Sequence, residues 1–189
     1  LCMIQRILFS LTKMCVHRRA LREALHHSSP TILQLTPTHL KPLCNVLVLD
    51  FDGVLASHGK PKPLPSVEDW LAEAVTTFGD KIYVLSNKPN AIRHGYFAEH
   101  FPTIQFVSGF AKKPYPDGLN HIIKTSKAKP QEVLLIDDRL LTGALATILA
   151  GTQCMLITQA FQDLSAHPIV ESFFGLLRAG EKLLICLIT

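Results

Sequence analysis

The chain has 189 residues, of which 48% are hydrophobic and 18% are charged. This composition provides the apolar side chains of one domain with a proper core and excludes a disordered protein. The net charge of +4 is too small to indicate nucleic-acid binding by itself. The five cysteines are dispersed, which is typical of reduced thiols and does not indicate a zinc site. Because no apolar run is long enough to span a membrane, the predicted location is the cytoplasm or an organelle matrix.

Residues 1–25 differ from the rest of the chain in charge. Apolar residues recur there at helical spacing, five Arg and Lys residues accompany them, and Glu23 is the only acidic residue before Asp50. Three interpretations of this basic amphipathic helix remain open: a transit peptide, a helix in peripheral contact with a membrane, and a helix docked on the domain. Residues 28–42 contain three prolines and are predicted to be a connector. Residues 1–42 are therefore the predicted appendage of a domain at 43–189.

From residue 46 onward, short apolar runs alternate with amphipathic segments of helical spacing. Such runs, rich in Val, Ile and Leu, are typical of strands buried on both faces of a parallel sheet. Their alternation predicts an α/β fold: a Rossmann-like parallel sheet of about five strands, flanked by helices. For residues 183–188, a sixth strand and a packed tail remain open. The predicted strands cover residues 46–49, 81–85, 104–107, 133–136 and 154–157, and a closing helix is predicted at 168–178.

The sequence Asp50-Phe51-Asp52-Gly53 directly follows the first predicted strand. Asp50 and Asp52 start on the same side of an extended chain, since side chains alternate along it. Two carboxylates so close repel each other unless a cation or a shared proton relieves the repulsion. Gly53 allows the chain to turn away from the strand. The motif is a candidate Mg²⁺ and acid/base site, with a solvated turn as the alternative.

Polar residues also follow the second, third and fourth predicted strands. Ser86 and Asn87 follow the second strand, Lys112-Lys113 follows the third, and Asp137-Asp138 follows the fourth. The carboxyl ends of parallel strands share one edge of the sheet, where open α/β sheets bind ligands. Each signal alone also fits a turn or a solvated pair, but their convergence favours a site. Three further polar residues could contact the substrate from a loop and a helix start, but a surface position is favoured for each: His58, Lys60 and Arg93.

These motifs occur, over residues 46–158, in the order found in the haloacid dehalogenase superfamily of aspartate-nucleophile phosphatases, which the chain resembles. The resemblance implies that Asp50 attacks phosphorus and forms an aspartyl-phosphate. It implies that Asp52 protonates the leaving oxygen and later activates water. Ser86 would bind the phosphoryl group, and Lys113, or less favourably Lys112, would hold Asp50 and the phosphate together. The remaining implied roles are substrate binding by Asn87 and Gly53, and Mg²⁺ binding by the Asp50 carboxylate, the Asp52 carbonyl oxygen and Asp138.

The interval between Asp52 and Ser86 is too short for a large cap, so the resemblance is to the capless subclass III and the site is predicted to be open. Pieces of the second, third and fourth motifs resemble the phosphatidylglycerophosphate phosphatase-like branch, which implies a phosphorylated substrate and specifically an anionic phospholipid. The fourth motif departs from that pattern at two positions. Gly143 stands where aspartate is usual, and Asp137 stands where glycine commonly precedes the metal-binding aspartate.

The favoured function is a Mg²⁺-dependent phosphomonoester phosphatase with phosphatidylglycerophosphate as its preferred substrate. One alternative is a soluble phosphatase for a sugar, a nucleotide or a phosphoprotein. The other is a non-catalytic binding protein of the same fold, which the altered fourth motif supports and the intact first three motifs oppose. Nucleic acid is not an expected partner because the sequence shows no extended basic stripe.

Overall fold

The computed structural model describes residues 3–88 and 90–188. Its central sheet consists of six strands in the order β1-β6-β5-β2-β3-β4, and every neighbouring pair is parallel. This arrangement confirms the predicted α/β fold. The strands are β1 (Ser28–Ser29), β2 (Val46–Leu49), β3 (Ile82–Leu85), β4 (Gln105–Val107), β5 (Val133–Asp137) and β6 (Gln153–Ile157).

Helices cover both faces of the sheet. They are α1 (Met3–Val16), α2 (Arg18–His26), α3 (Pro37–Leu40), α4 (Pro65–Phe78), α5 (Ala91–His100), α6 (Asp117–Ser126), α7 (Leu145–Ala150) and α8 (Pro168–Ile188). Short 3₁₀ turns occur at Ile32–Gln34 and Pro130–Glu132, and a π-helical turn at Leu140–Ala144 leads into α7.

Two predictions about the ends of the chain need correction. The predicted connector at residues 28–42 contains β1, in which Ser28 and Ser29 pair with Leu156 and Ile157 of β6. This pairing makes β1 an edge strand of the sheet. The sequence did not indicate the strand, because two serines have no apolar pattern. The closing helix does not end at residue 178: α8 continues to Ile188, so residues 183–188 are not a sixth strand but the packed end of this helix, in which Ile185 is buried.

The fully buried strand β2 lies in the middle of the sheet, between β5 and β3. On one face, Leu47 and Leu49 pack with residues of α4 and α5, including Leu71 and Phe97. On the other face, Val46 and Val48 pack in a cluster that contains residues of α6 and α7. Because hydrophobic layers fix β2 from both sides, the residues that follow it have a rigid support.

The N-terminal helices pack on the domain through part of their surface. Leu21 of α2 is fully buried and shares an apolar cluster with Met14 of α1, Leu145 of α7 and Ile185 of α8. Other apolar residues of α1 are exposed to solvent: Ile4, Ile7, Leu8 and Leu11. Within the described part of the chain, no helix is both long enough and apolar enough to cross a membrane.

Candidate active site

Three carboxylates meet at the carboxyl ends of β2 and β5. Asp50 follows β2, Asp137 ends β5 and Asp138 comes next, and one oxygen of each lies within 4.8 Å of the others. The Asp50 N–H donates to the Ile136 carbonyl oxygen over 2.9 Å, which ties the end of β2 to β5. The shared edge therefore brings together the first and fourth motifs, as the strand order predicted.

Lys113 reaches the same cluster from the loop after β4. Its Nζ lies 3.0 Å from Oδ1 of Asp50 and 2.5 Å from Oδ2 of Asp137, and the side chain is almost completely buried. Burial by itself would lower the pKa of Lys113, but Asp137 and Asp50 raise it overall. Of the two adjacent lysines, Lys113 thus lies in the cluster as an ammonium, whereas Lys112 is exposed.

The carboxylates are crowded and poorly hydrated. Burial, with smaller contributions from Asp137, Asp138 and Asp52, raises the pKa of Asp50 to about 8 against the opposing effect of Lys113. Burial and the Asp137 charge also raise the pKa of Asp138 to about 7, although Arg178 opposes the shift. Burial is the largest cause of both shifts, and the neighbouring carboxylates add to it.

The arrangement fits a small divalent cation. The Oδ1 of Asp50 is buried and accepts no hydrogen bond from any described residue, although Nζ of Lys113 is near. Carboxylate oxygens are the ligands that Mg²⁺ prefers. The side chain that joins Asp50 and Asp138 in this cluster is Asp137, and the predicted metal set of Asp50, Asp52 and Asp138 stays a prediction. The Asp52 side chain points to Arg93 instead, and a contact through its carbonyl oxygen stays a prediction.

Two glycines allow the carboxylates to sit where they do. Gly53 has a φ of +87°, and a Cβ at this position would lie 2.5 Å from Oδ2 of Asp138. A Cβ at Gly143 would overlap the side chain of Asp137, including its Cγ. The N–H of Gly53 donates to the Ala56 carbonyl oxygen over 2.7 Å, so it is already engaged. The substrate contact predicted for Gly53 stays a prediction. What the structure shows is that the backbone of Gly53 lies close to the side chain of Asp138.

Asp52 forms a buried ion pair with Arg93 of α5. The two guanidinium nitrogens lie 2.7 and 3.1 Å from the carboxylate oxygens of Asp52. The guanidinium also lies 3.8 Å from the ring centroid of Phe51, and its Nε donates to the Lys60 carbonyl oxygen. The predicted surface position of Arg93 is therefore wrong, since only 2% of the residue is exposed. Its spacing of four residues from the buried Phe97 placed it on the inner face of α5.

We expect the substitution Arg93→Lys to destabilise the protein by about 2 kcal/mol, because lysine cannot make the bidentate contact and leaves Asp52 poorly paired. Urea unfolding measures this effect. The matched control is Lys60→Met, which removes the ion pair between Lys60 and Asp163. The side chains of these two residues are 38% and 23% exposed. That surface pair should contribute less than about 1 kcal/mol. Equal losses for both variants would contradict the assignment of Arg93 as a buried partner of Asp52.

The second motif lies beside the cluster, in the loop after β3. The side chain of Asn87 makes two hydrogen bonds with the backbone of Lys113, accepting from its N–H at 2.7 Å and donating to its carbonyl oxygen at 3.0 Å. Ser86 Oγ accepts from the Lys88 N–H at 3.2 Å, as a turn-capping serine would. Asn87 thus joins the second motif to the third. The phosphate-binding roles of Ser86 and Asn87 stay predictions.

Helix α8 contributes side chains that no sequence motif indicated. Glu171 accepts from the backbone N–H of His58 at 2.9 Å and contacts its Nδ1 at 3.0 Å, so His58 is buried and its predicted surface position is wrong. Burial lowers the pKa of His58 although Glu171 opposes the shift. Arg178 donates to Oδ2 of Asp138 over 2.7 Å, and Glu181 accepts from the side chain of Arg139. Only the spacing of seven and three residues between Glu171, Arg178 and Glu181 could have indicated an inward face.

The chain is similar in sequence to known hydrolases. A family model described as haloacid dehalogenase-like hydrolase matches residues 13–151, a range that includes the three carboxylates and Lys113. The chain is 29% identical, over 128 residues, to "Probable phosphatase YqeG" of Bacillus subtilis, a match that covers 67% of this chain and 72% of that protein. A solved structure of NagD from E. coli K-12 matches 67% of this chain and 92% of its own, with 11% identity and a TM-score of 0.37. By the match of its family model, the chain belongs to the haloacid dehalogenase-like hydrolases, and the predicted hydrolase is confirmed.

Proposed function

We propose that the chain is a Mg²⁺-dependent phosphomonoester hydrolase that works through an aspartyl-phosphate on Asp50. The observation that carries this proposal is the buried cluster of Asp50, Asp137 and Asp138 with the ammonium of Lys113. In phosphoryl transfer most of the catalysis comes from positioning and from stabilising charge on the phosphoryl oxygens. A cluster that combines a nucleophile, a lysine and a cation site has the parts for this task.

In the first step the Asp50 carboxylate attacks phosphorus, the bond between phosphorus and the leaving oxygen breaks, and Asp52 protonates that oxygen. In the second step Asp52 removes a proton from water, the water oxygen attacks phosphorus, and the bond to Asp50 breaks. Lys113 supplies positive charge beside Asp50 and the phosphoryl group, and Ser86 with the Asn87 N–H binds the phosphoryl oxygens. Arg93 fixes the orientation of the Asp52 carboxylate.

Mg²⁺ would be held by Asp50 and Asp138, with Asp137 or the Asp52 carbonyl oxygen as the third protein ligand. When bound, it would neutralise charge on the phosphoryl oxygens. The crowding of the cluster supports this assignment, because a divalent cation would offset the repulsion among three neighbouring carboxylates.

As the substrate we propose phosphatidylglycerophosphate, in a capless subclass III enzyme of that branch. The resemblance of the second to fourth motifs supports this proposal. So do the short interval between β2 and β3 and the basic helix α1, whose exposed apolar residues suit peripheral contact with an anionic membrane. The alternatives are a soluble phosphatase for a sugar, a nucleotide or a phosphoprotein, and a binding protein without activity.

Hydrolysis of p-nitrophenyl phosphate and of phosphatidylglycerophosphate, each with Mg²⁺ and with EDTA, tests the proposal. We expect turnover of both substrates with Mg²⁺ only, and a higher kcat/KM for the lipid. Turnover of p-nitrophenyl phosphate alone would keep the phosphatase and reject the lipid. No turnover of either substrate by folded protein would favour the binding protein.

Thermal unfolding with and without Mg²⁺ provides a control that does not depend on a substrate. Mg²⁺ should raise the midpoint of the wild type, since a ligand of the folded state stabilises it. The increase should disappear in Asp138→Asn and persist in Asp80→Asn, whose side chain is 72% exposed and lies outside the cluster. A shift that Asp138→Asn retains would place the cation elsewhere.

A further inference from the structure

Helix α8 turns a mainly polar stripe toward the candidate site. Glu171 contacts His58, Arg178 contacts Asp138, and Glu181 contacts Arg139. Phe174, which lies between Glu171 and Arg178, stacks on the His58 ring at 4.0 Å, and Nζ of Lys88 lies 5.0 Å from its centroid. The stripe therefore contacts the loops after β2, β3 and β5, so α8 lies over the edge of the sheet that carries the carboxylates.

The opposite face of α8 is apolar and open to solvent. Its residues are spaced by three, four or seven positions and therefore lie along one side of the helix. A helix packed on a globular domain normally shows the reverse pattern, with apolar residues inward and charges outward. The exposed residues are Ile169 (84%), Phe173 (56%), Leu176 (73%), Leu183 (61%) and Leu187 (72%).

Helix α8 packs against the basic N-terminal helices through its buried side. Ile185 of α8 is buried in the same apolar cluster as Met14 of α1 and Leu21 of α2, and α2 packs against α8. Residues 3–27 carry five Arg and Lys residues and one acidic residue, Glu23. Helix α1 also exposes four apolar residues: Ile4, Ile7, Leu8 and Leu11.

We infer that α8 lies on an anionic bilayer with its outer face in the lipid headgroup region, together with α1. An apolar helix face beside lysines and arginines has the chemistry of an interfacial helix. The charged residues Glu171, Arg178 and Glu181 stay bound to the domain, so the helix lies in the interface and does not span it. A second copy of the chain would place two basic surfaces near each other, which charge repulsion opposes, whereas anionic lipid complements them.

The orientation has a consequence for the site, and this part rests on the proposed function. Because α8 contacts the loops after β2, β3 and β5, a protein docked through α8 turns the carboxyl edge of the sheet toward the bilayer. A phosphorylated headgroup then reaches Asp50 from the membrane surface beside the helix. The family model ends at residue 151, so α8 is an addition to the matched region.

Flotation with vesicles tests the docking without any turnover. The wild-type chain should bind vesicles of equimolar phosphatidylcholine and phosphatidylglycerol, more weakly at high salt, and should not bind pure phosphatidylcholine. The double variant Leu176→Ser/Leu183→Ser should bind about tenfold more weakly, because two apolar side chains no longer enter the interface. The control is Leu43→Ser, which changes a residue that is 52% exposed just before β2, at the opposite edge of the sheet, and should bind like the wild type.

Each outcome decides the inference. Absence of wild-type binding overturns it, and so does equal binding by the α8 variant, which would leave the N-terminal helix as the contact. A wild-type dimer that Leu176→Ser/Leu183→Ser converts to a monomer, without vesicle binding, assigns the face to a second copy and also overturns the inference. Hydrolysis of p-nitrophenyl phosphate by the same samples reports separately on the proposed function, and the α8 variant should retain it.

Discussion

The substitution Asp50→Asn should abolish hydrolysis of p-nitrophenyl phosphate, with a loss of about 10⁴-fold or more in kcat. Asparagine has nearly the shape of aspartate but cannot form the aspartyl-phosphate, so the first chemical step is lost and the fold is kept. The assay is that of the wild type with Mg²⁺, and Asp80→Asn, an exposed aspartate outside the cluster, should keep its activity. Residual turnover above about one per cent of the wild-type value would identify another nucleophile.

The same variant should be at least as stable as the wild type, which distinguishes a lost nucleophile from a lost fold. In the absence of metal, the folded state holds a proton on Asp50 up to about pH 8, whereas an unfolded aspartate loses it near its ordinary pKa. Asp50 therefore lowers the stability of the wild type progressively as pH rises through this interval. The gain in unfolding midpoint for Asp50→Asn, measured in EDTA, should grow between pH 5 and pH 8, and a gain that shrinks would contradict this reasoning.

The substitution Lys113→Met should destabilise the protein by about 3–5 kcal/mol, because it leaves the buried carboxylate of Asp137 without its ammonium. Activity should fall as well, since the same ammonium is the proposed partner of the phosphate. Urea unfolding and the hydrolysis assay together measure both losses.

The adjacent lysine provides the control for this prediction. Lys112 is exposed, so Lys112→Met should change the stability by no more than about 0.5 kcal/mol. The pair of variants decides between the two lysines that the sequence left as alternatives. If Lys112→Met were the more damaging substitution, the assignment of Lys113 to the cluster would be wrong.

The architecture could be predicted from the sequence because buried parallel strands have a strong local signature. The run at residues 46–49 is apolar throughout and ends abruptly at Asp50, so both the strand and the position of the carboxylate follow from the pattern. The convergence of the motifs then follows from topology, since parallel strands place their carboxyl ends at one edge. β1 was missed because its two residues are serines and pair only at the end of β6.

The buried ion pairs that hold the residues of the site in place could not be predicted in the same way. Arg93, His58 and Glu171 are charged or polar residues, and such residues are expected at the surface unless a partner compensates for their burial. The partners are distant in sequence: Arg93 pairs with Asp52, and Glu171 pairs with His58. No local spacing indicates a contact between residues 41 or 113 positions apart.

The overlap between residue 143 and the side chain of Asp137 couples substitutions at these two positions. Only one of them can direct a side chain into that space, so an aspartate at position 143 would require glycine at position 137. Compared with the motif that the chain resembles, glycine and aspartate are exchanged between the two positions. The space beside β5 has room for one carboxylate, which either position could supply.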